Sequence, residues 1–246
     1  MNEEELFRIA FIALFSLLTA LRFFFKLRAG AFRHFLFSLQ EGAAIVASKL
    51  VLGMILIWSS ATYIFEFEEM RWSYVDLPPV VRGTGTALGF FSLGFLVATH
   101  IALGRNFTTT VRLKKDHHLV TWGPYQRIRH PMYSSYVGLF VGAFLMSENL
   151  LLGASGLAIL AVLMTIRLDR EEENLINRFG DRYRGYRAST GKFLPRPNGR
   201  GSLGASERRT AAPSSPEMED RTKATIIGSP GSTKIDEKGG ERQRAF

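Results

Sequence analysis

The sequence predicts an all-α fold: a polytopic membrane helix bundle of about five spans, ending in a C-terminal helical hairpin and a helix on the aqueous side. Three observations predict it. Apolar runs of roughly 20 residues or more, the length that crosses about 30 Å of hydrocarbon, recur up to residue 195. The polar loops between them alternate in charge. Beyond residue 195 large apolar residues thin out and Gly, Ser, Pro and mixed charge take over. The chain therefore divides into a membrane domain, 1–195, and a polar tail, 196–246, expected to be disordered.

The first run is 6–25, with Arg8 and Arg22 near its ends, where long side chains can reach the interface. The second is 42–65, interrupted by Lys49, and the third is 80–103, rich in Gly with Arg82 at its start. A soluble bundle would show polar stripes at helical spacing, and these runs show almost none. The fourth block, 133–166, would be about 50 Å long as one helix, too long for a bilayer. Ser147-Glu148-Asn149 breaks it, which predicts two short paired helices joined by a tight turn. Past Ile166 the helical pattern leaves the membrane as a charged segment, 167–188. There Leu175, Phe179 and Tyr183 recur every fourth residue as an apolar stripe, and Gly180 marks a joint.

Charge sets the expected orientation. Loop one carries Lys26, Arg28 and Arg33; loop two carries Glu66, Glu68, Glu69 and Asp76 against Arg71; loop three carries Arg105, Arg112, Lys114, Lys115, Arg127 and Arg129. The positive-inside rule then places loops one and three, and the C-terminus, in the cytoplasm, with Arg82 as a mild violation. The formal net charge of +9 suits anionic lipid headgroups, and no nucleic-acid-binding signature accompanies it. With no cysteine, thiolate catalysis, Cys-based zinc sites, prenylation and S-palmitoylation are excluded. The acidic start, Met1-Asn2-Glu3-Glu4-Glu5, lacks the basic region of a signal peptide, so the first run is expected to stay as a span.

Two segments carry candidate chemistry. In the first, from His117 to Tyr133, Gly123-Pro124 signals a turn and Pro131 suits the first turn of the next helix. Polar and aromatic groups thus crowd where a loop enters a membrane helix, and the free N–H groups of that helix start can meet a polar or anionic ligand. A basic loop lying on lipid headgroups explains the same residues. Adjacent His117 and His118 do not make a metal site, since neighbours cannot easily share one ion and no carboxylate set accompanies them. In the second segment Arg167 and Glu171 lie one turn apart and share a helix face. Either this is a solvated helix end, or Arg167 grips a carboxylate or phosphate while Glu171 binds the hydroxyls or amine of a cofactor. Glu171, Glu172 and Glu173 cannot all face one site, so at least one is solvated.

Taken in order, these motifs resemble the isoprenylcysteine carboxyl methyltransferase family of integral membrane enzymes. The resemblance lies in Leu119-Val120, Gly123-x-Tyr125, Arg129-His130-Pro131-x-Tyr133, a hairpin, Arg167-x-x-x-Glu171-Glu172 and Phe179-Gly180-x-x-Tyr183-x-x-Tyr186. It covers residues 106–195 and is specific for the superfamily rather than the substrate. It implies that 1–195 is a methyltransferase domain using S-adenosylmethionine. It also implies that His117, His118, Leu119, Val120, Tyr125, His130, Pro131, Met132, Tyr133 and Glu171 hold that cofactor, with Arg167 orienting the substrate. The family's glutamine upstream of this stretch has no counterpart, since Val111 and Arg112 stand nearest. The implied substrate is lipidated or lipophilic, with an isoprenylcysteine-type carboxylate first and a phospholipid or small thiol next. A sterol-type NADPH reductase shares the Arg-His-Pro-x-Tyr stretch, but such enzymes are usually longer. A non-catalytic membrane protein would need ionisable residues lining a path, and Lys49 and His100 are too few.

If the tail carries no chemistry, truncation after Arg200 leaves activity intact. Loss of activity by a truncated protein with an unchanged thermal melt contradicts that expectation.

Overall fold

A computed structural model describes residues 2–28, 43–65, 68–106 and 118–196. Among these residues six α-helices follow one another: α1 (Glu3–Arg28), α2 (Ala43–Phe65), α3 (Pro79–Leu103), α4 (Pro131–Ser147), α5 (Leu150–Phe179) and α6 (Asp181–Ser189). Among the described residues there are two isolated β-bridges and no strand. Helices α1, α2, α3 and α5 are each long and apolar enough to cross a bilayer. Helix α4, with 17 residues, is about 25 Å long and forms the other arm of the hairpin with α5. This is an integral membrane helix bundle of the class the apolar runs predict. The expected disordered tail and most of loop one lie outside the described residues.

Local chemistry sets the helix ends. Asn2 and Glu5 cap α1 reciprocally, the Glu5 N–H donating to Asn2 Oδ1 at 2.8 Å and the Asn2 N–H to Glu5 Oε2 at 3.1 Å. Proline opens α3 and α4, where a missing N–H costs nothing. The predicted break at 147–149 is a left-handed turn at Glu148 (φ 59°), followed by Asn149, whose Oδ1 accepts from the Leu152 N–H at 3.1 Å. Gly180 ends α5 with φ 53° and ψ −128°, a conformation open essentially to glycine. The expected Leu175–Phe179–Tyr183 stripe is therefore interrupted: Tyr183 belongs to α6 and points inward on a different axis.

Helix α3 packs on α1 and α4, and α5 packs on α2 and α4. Phe11, Leu14, Leu96, Leu139, Met146 and Leu152 fill the common core. The α3–α4 seam is the tightest. A Cβ on Gly142 would meet the Gly85 carbonyl oxygen and the Gly89 nitrogen, each at 2.7 Å. Gly142 of α4 backs onto Gly85 and Gly89 of α3, and Gly138, one turn earlier on α4, lies against Ser92 of α3, so small residues let the backbones touch where hydrocarbon offers helices no hydrophobic drive to associate.

At the end of the bundle away from α6, Arg82 explains its own charge violation. Its guanidinium is buried over the Phe7 ring at 4.2 Å, pairs with both Glu4 carboxylate oxygens, lies 3.3 Å from Glu148 Oε2 and donates to the Met146 carbonyl at 3.2 Å. Glu148 also accepts the Leu77 N–H at 2.8 Å, so one cluster joins the start of α1, the start of α3 and the hairpin tip.

Substituting Gly142 by Leu should force α3 and α4 apart and cost about 3 kcal/mol or more of stability, read as a lowered detergent melting temperature. Gly94→Leu, where nothing lies within 4 Å of the added carbon, should melt like the parent. Equal melts for both variants would disprove the close approach.

Candidate functional site

The hairpin returns the chain to where it entered. Gly123 (φ 61°) opens a short 3-10 turn through Gln126, and the chain then passes through Ile128, which makes an isolated parallel bridge with Gly191, to His130, the residue preceding α4. Helix α5 returns along the hairpin, its apolar stretch ending at Ile166, and its charged part from Arg167 onward runs alongside this loop. His130 and Glu172, 42 positions apart, meet with Nε2 3.2 Å from Glu172 Oε1. Helix α6 and the strap after it close the third side. The Arg129 N–H donates to the Gly191 carbonyl at 2.8 Å, the His130 N–H to the Lys192 carbonyl at 3.0 Å, and the Gly191 N–H to the Arg127 carbonyl at 3.2 Å. Ser134 Oγ donates to the Phe193 carbonyl at 2.6 Å, and Tyr186 OH to the Tyr125 carbonyl at 2.6 Å. The aromatic pair after Gly180 thus has a mechanical role: Tyr183 is buried and Tyr186 ties down the turn.

Of the residues predicted from sequence, Tyr125, His130, Tyr133, Arg167 and Glu171 come together. Glu171 lies within electrostatic reach of His130, Arg167, Tyr125 and Tyr133. Burial raises the Glu171 carboxyl above its ordinary value, against the opposing pull of His130 and Arg167. Burial likewise pushes the Tyr125 phenol well above its usual value, with Glu171 adding to it. Pro131 is buried as the first residue of α4, and Met132 packs partly against the core with Tyr136. Leu119 and Val120 are half-buried in the loop, and the exposed His118 donates its N–H to Asn106 Oδ1 at 3.2 Å. His117, like Val111 and Arg112, lies outside the described residues.

Sequence reading missed the residue at the centre. Glu172 is buried, and the hydrogen bond from His130 holds its carboxyl below the ordinary range, reinforced by Arg129 and Arg187. Its Oε1 lies 3.6 Å from Arg129 Nε and its Oε2 3.6 Å from Arg187 Nε. Two adjacent glutamates therefore sit in opposed environments, one desolvated and one paired with cations. A signal existed: Leu160, Leu168 and Glu172 are all buried at multiples of four along α5, so Glu172 is an acid on an apolar stripe.

The chain resembles known proteins over this region. Residues 87–177 match the model of the isoprenylcysteine carboxyl methyltransferase family, from within α3 to near the end of α5. A protein-S-isoprenylcysteine O-methyltransferase of Schizosaccharomyces pombe is 38% identical over 119 residues, 45% of this chain and 48% of that protein. A nickel-cobalt-cadmium resistance protein of Alcaligenes xylosoxydans xylosoxydans is 33% identical over 115 residues, 46% of this chain and 53% of that protein. This chain spans about half the length of the curated relatives it matches. A solved eukaryotic intramembrane Ras methyltransferase, itself an isoprenylcysteine carboxyl methyltransferase, is 23% identical with a TM-score of 0.47, over 58% of this chain and 51% of that one.

The Tyr186 contact can be tested alone. Tyr186→Phe leaves the Tyr125 carbonyl without its donor, a loss of about 1 kcal/mol. Amide exchange at Arg127 and Ile128, both bonded to the Pro124 carbonyl, should then quicken about fivefold. Unchanged exchange would show that α6 does not restrain the loop.

Proposed function

We propose that this chain, which matches the isoprenylcysteine carboxyl methyltransferase family model over residues 87–177, is a membrane-embedded S-adenosylmethionine-dependent methyltransferase of that family. Its preferred acceptor would be the carboxylate of an isoprenylcysteine-type or other lipophilic substrate. One observation carries the reading: the partly buried Glu171 stands among two phenols, an imidazole and Arg167, where the membrane hairpin meets the loop before α4.

The donor set suits this cofactor. A desolvated carboxylate beside aromatic rings favours a ligand that carries positive charge and hydroxyls, such as a sulfonium or ammonium group on a nucleoside. It disfavours a dinucleotide with several phosphates. Glu171 and Glu172 would repel these, and Arg129 and Arg187 are already engaged by Glu172. That contrast separates the methyltransferase reading from an NADPH reductase.

When bound, S-adenosylmethionine supplies a methyl group already activated by its sulfonium. What remains for the protein is alignment and exclusion of water. Glu171 would hold the cofactor's hydroxyls or amine, with Tyr125 and Tyr133 beside it. Arg167, on the same helix face one turn earlier, would hold one carboxylate oxygen by a charge-assisted hydrogen bond and leave the other as nucleophile. An ionised carboxylate has no proton to lose, so no general base is needed, whereas an amine acceptor would need one. The lipid portion of the substrate would enter sideways between helices from the bilayer. The cofactor would enter from the side bearing the basic loops, which loop charge assigns to the cytoplasm.

Calorimetry on the detergent-purified protein should show binding of S-adenosylmethionine and none of NADPH. Glu171→Ala should weaken cofactor binding about tenfold or more, as expected for a lost charged hydrogen bond. Arg167→Ala should leave that binding within about twofold and instead cut transfer to a carboxylate acceptor by roughly a hundredfold. No binding of S-adenosylmethionine by the parent would overturn the reading. Equal losses of binding and transfer in both variants would overturn the division of roles.

A further inference from the structure

Glu172 is the most heavily engaged acid among the described residues, and the proposed chemistry does not use it. Its carboxylate gathers groups from three segments: Arg129 and His130 from the loop before α4, and Arg187 from α6. A carboxylate ringed by cations stays ionised and can only accept hydrogen bonds. The His130 nitrogen facing it must therefore carry a proton, whether the ring is neutral or charged.

We propose that Glu172 is a positioning residue that fixes His130 in its Nε2–H tautomer and, through Arg187, holds α6 against the loop. A free neutral imidazole exchanges between two tautomers, and which one persists is set by the partner of one ring nitrogen. Here that partner is buried and anchored by two arginines, so Nδ1 is the ring atom left for a ligand. The Tyr133 and Phe193 rings lie 6.0 and 6.2 Å from the imidazole by centroid. The same carboxylate ties ligand recognition to closure. Arg129, which it pairs, donates to the Arg187 carbonyl at 2.6 Å and the Thr190 carbonyl at 3.3 Å, so the loop and the α6 strap move as one piece. Charged or titratable groups facing the cluster are Arg129, His130 and Arg187, with Glu171 beside them on α5 and Tyr183 on α6.

The consequence for affinity rests on the methyltransferase reading; the tautomer does not. The sequence has five histidines, so nitrogen NMR of the full chain labelled at histidine can resolve His130, assigned by its loss in His130→Gln. The neutral ring in the unliganded wild type should be protonated on Nε2. Glu172→Ala should give a mixed tautomer and weaken S-adenosylmethionine binding about tenfold, the ratio expected for one lost charge-assisted hydrogen bond. Glu173→Ala, an exposed neighbour, should change neither reading. Arg187→Gln should keep the tautomer while speeding amide exchange in α6. A wild-type His130 protonated on Nδ1 overturns the proposal without any variant having to fold. So does a folded Glu172→Ala protein that keeps an unmixed Nε2–H ring. A wild type that binds no S-adenosylmethionine but shows the Nε2–H ring would sink the proposed activity and leave this assignment standing.

Discussion

The 3.2 Å contact between His130 and Glu172 closes a 42-residue excursion into the membrane. Everything proposed for the site depends on that closure. The loop before α4 has little hydrophobic core of its own, and the charged end of α5 has outrun the bilayer that supports the rest of that helix. Each alone would be a solvated, mobile end. Joined through one buried carboxylate, they become a walled site whose groups are desolvated together. That desolvation opposes ionisation of Glu171 and strengthens any contact it makes with a cationic ligand.

Membrane burial dictates how the closure is supported. Within hydrocarbon no water is available to satisfy polar groups, so register must come from backbone approach and internally paired charge. The glycine seam between α3 and α4 supplies the first. The Arg82 cluster supplies the second at the far end of the hairpin, where Glu148 accepts from both Arg82 and the Leu77 N–H. Breaking a buried pair of this kind by removing one partner typically costs about 3–5 kcal/mol. Charge clusters therefore pin both ends of the α4–α5 hairpin, and the apolar middle is left to pack.

The fold was readable because its signals are long and local. Three apolar runs, a break at 147–149 and a glycine at 180 each map onto a helix or a helix end. The site was readable in part. Tyr125, His130, Tyr133, Arg167 and Glu171 sit in two short motifs, and the hairpin between them implies that they meet. Glu172 was missed because three consecutive glutamates look alike in sequence, and only the packed helix shows which one lies on the buried face. Arg82 looked like a violation for a related reason. Its partners, Glu4 and Glu148, stand 78 and 66 positions away, beyond the reach of any local pattern. The glycine seam was visible as composition but not as contact, since which glycines face each other depends on helix rotation.

The acceptor proposed for the site rests on chemistry rather than on likeness, since the similar proteins bear different names. The cofactor end is the central claim, and hydrogen exchange with and without S-adenosylmethionine tests it most directly. Saturating ligand should protect 123–133, the charged end of α5 and α6 together, and leave α1 and α2 unchanged. Protection confined to other helices, or none at saturation, would contradict a cofactor site built from the two ends of the hairpin.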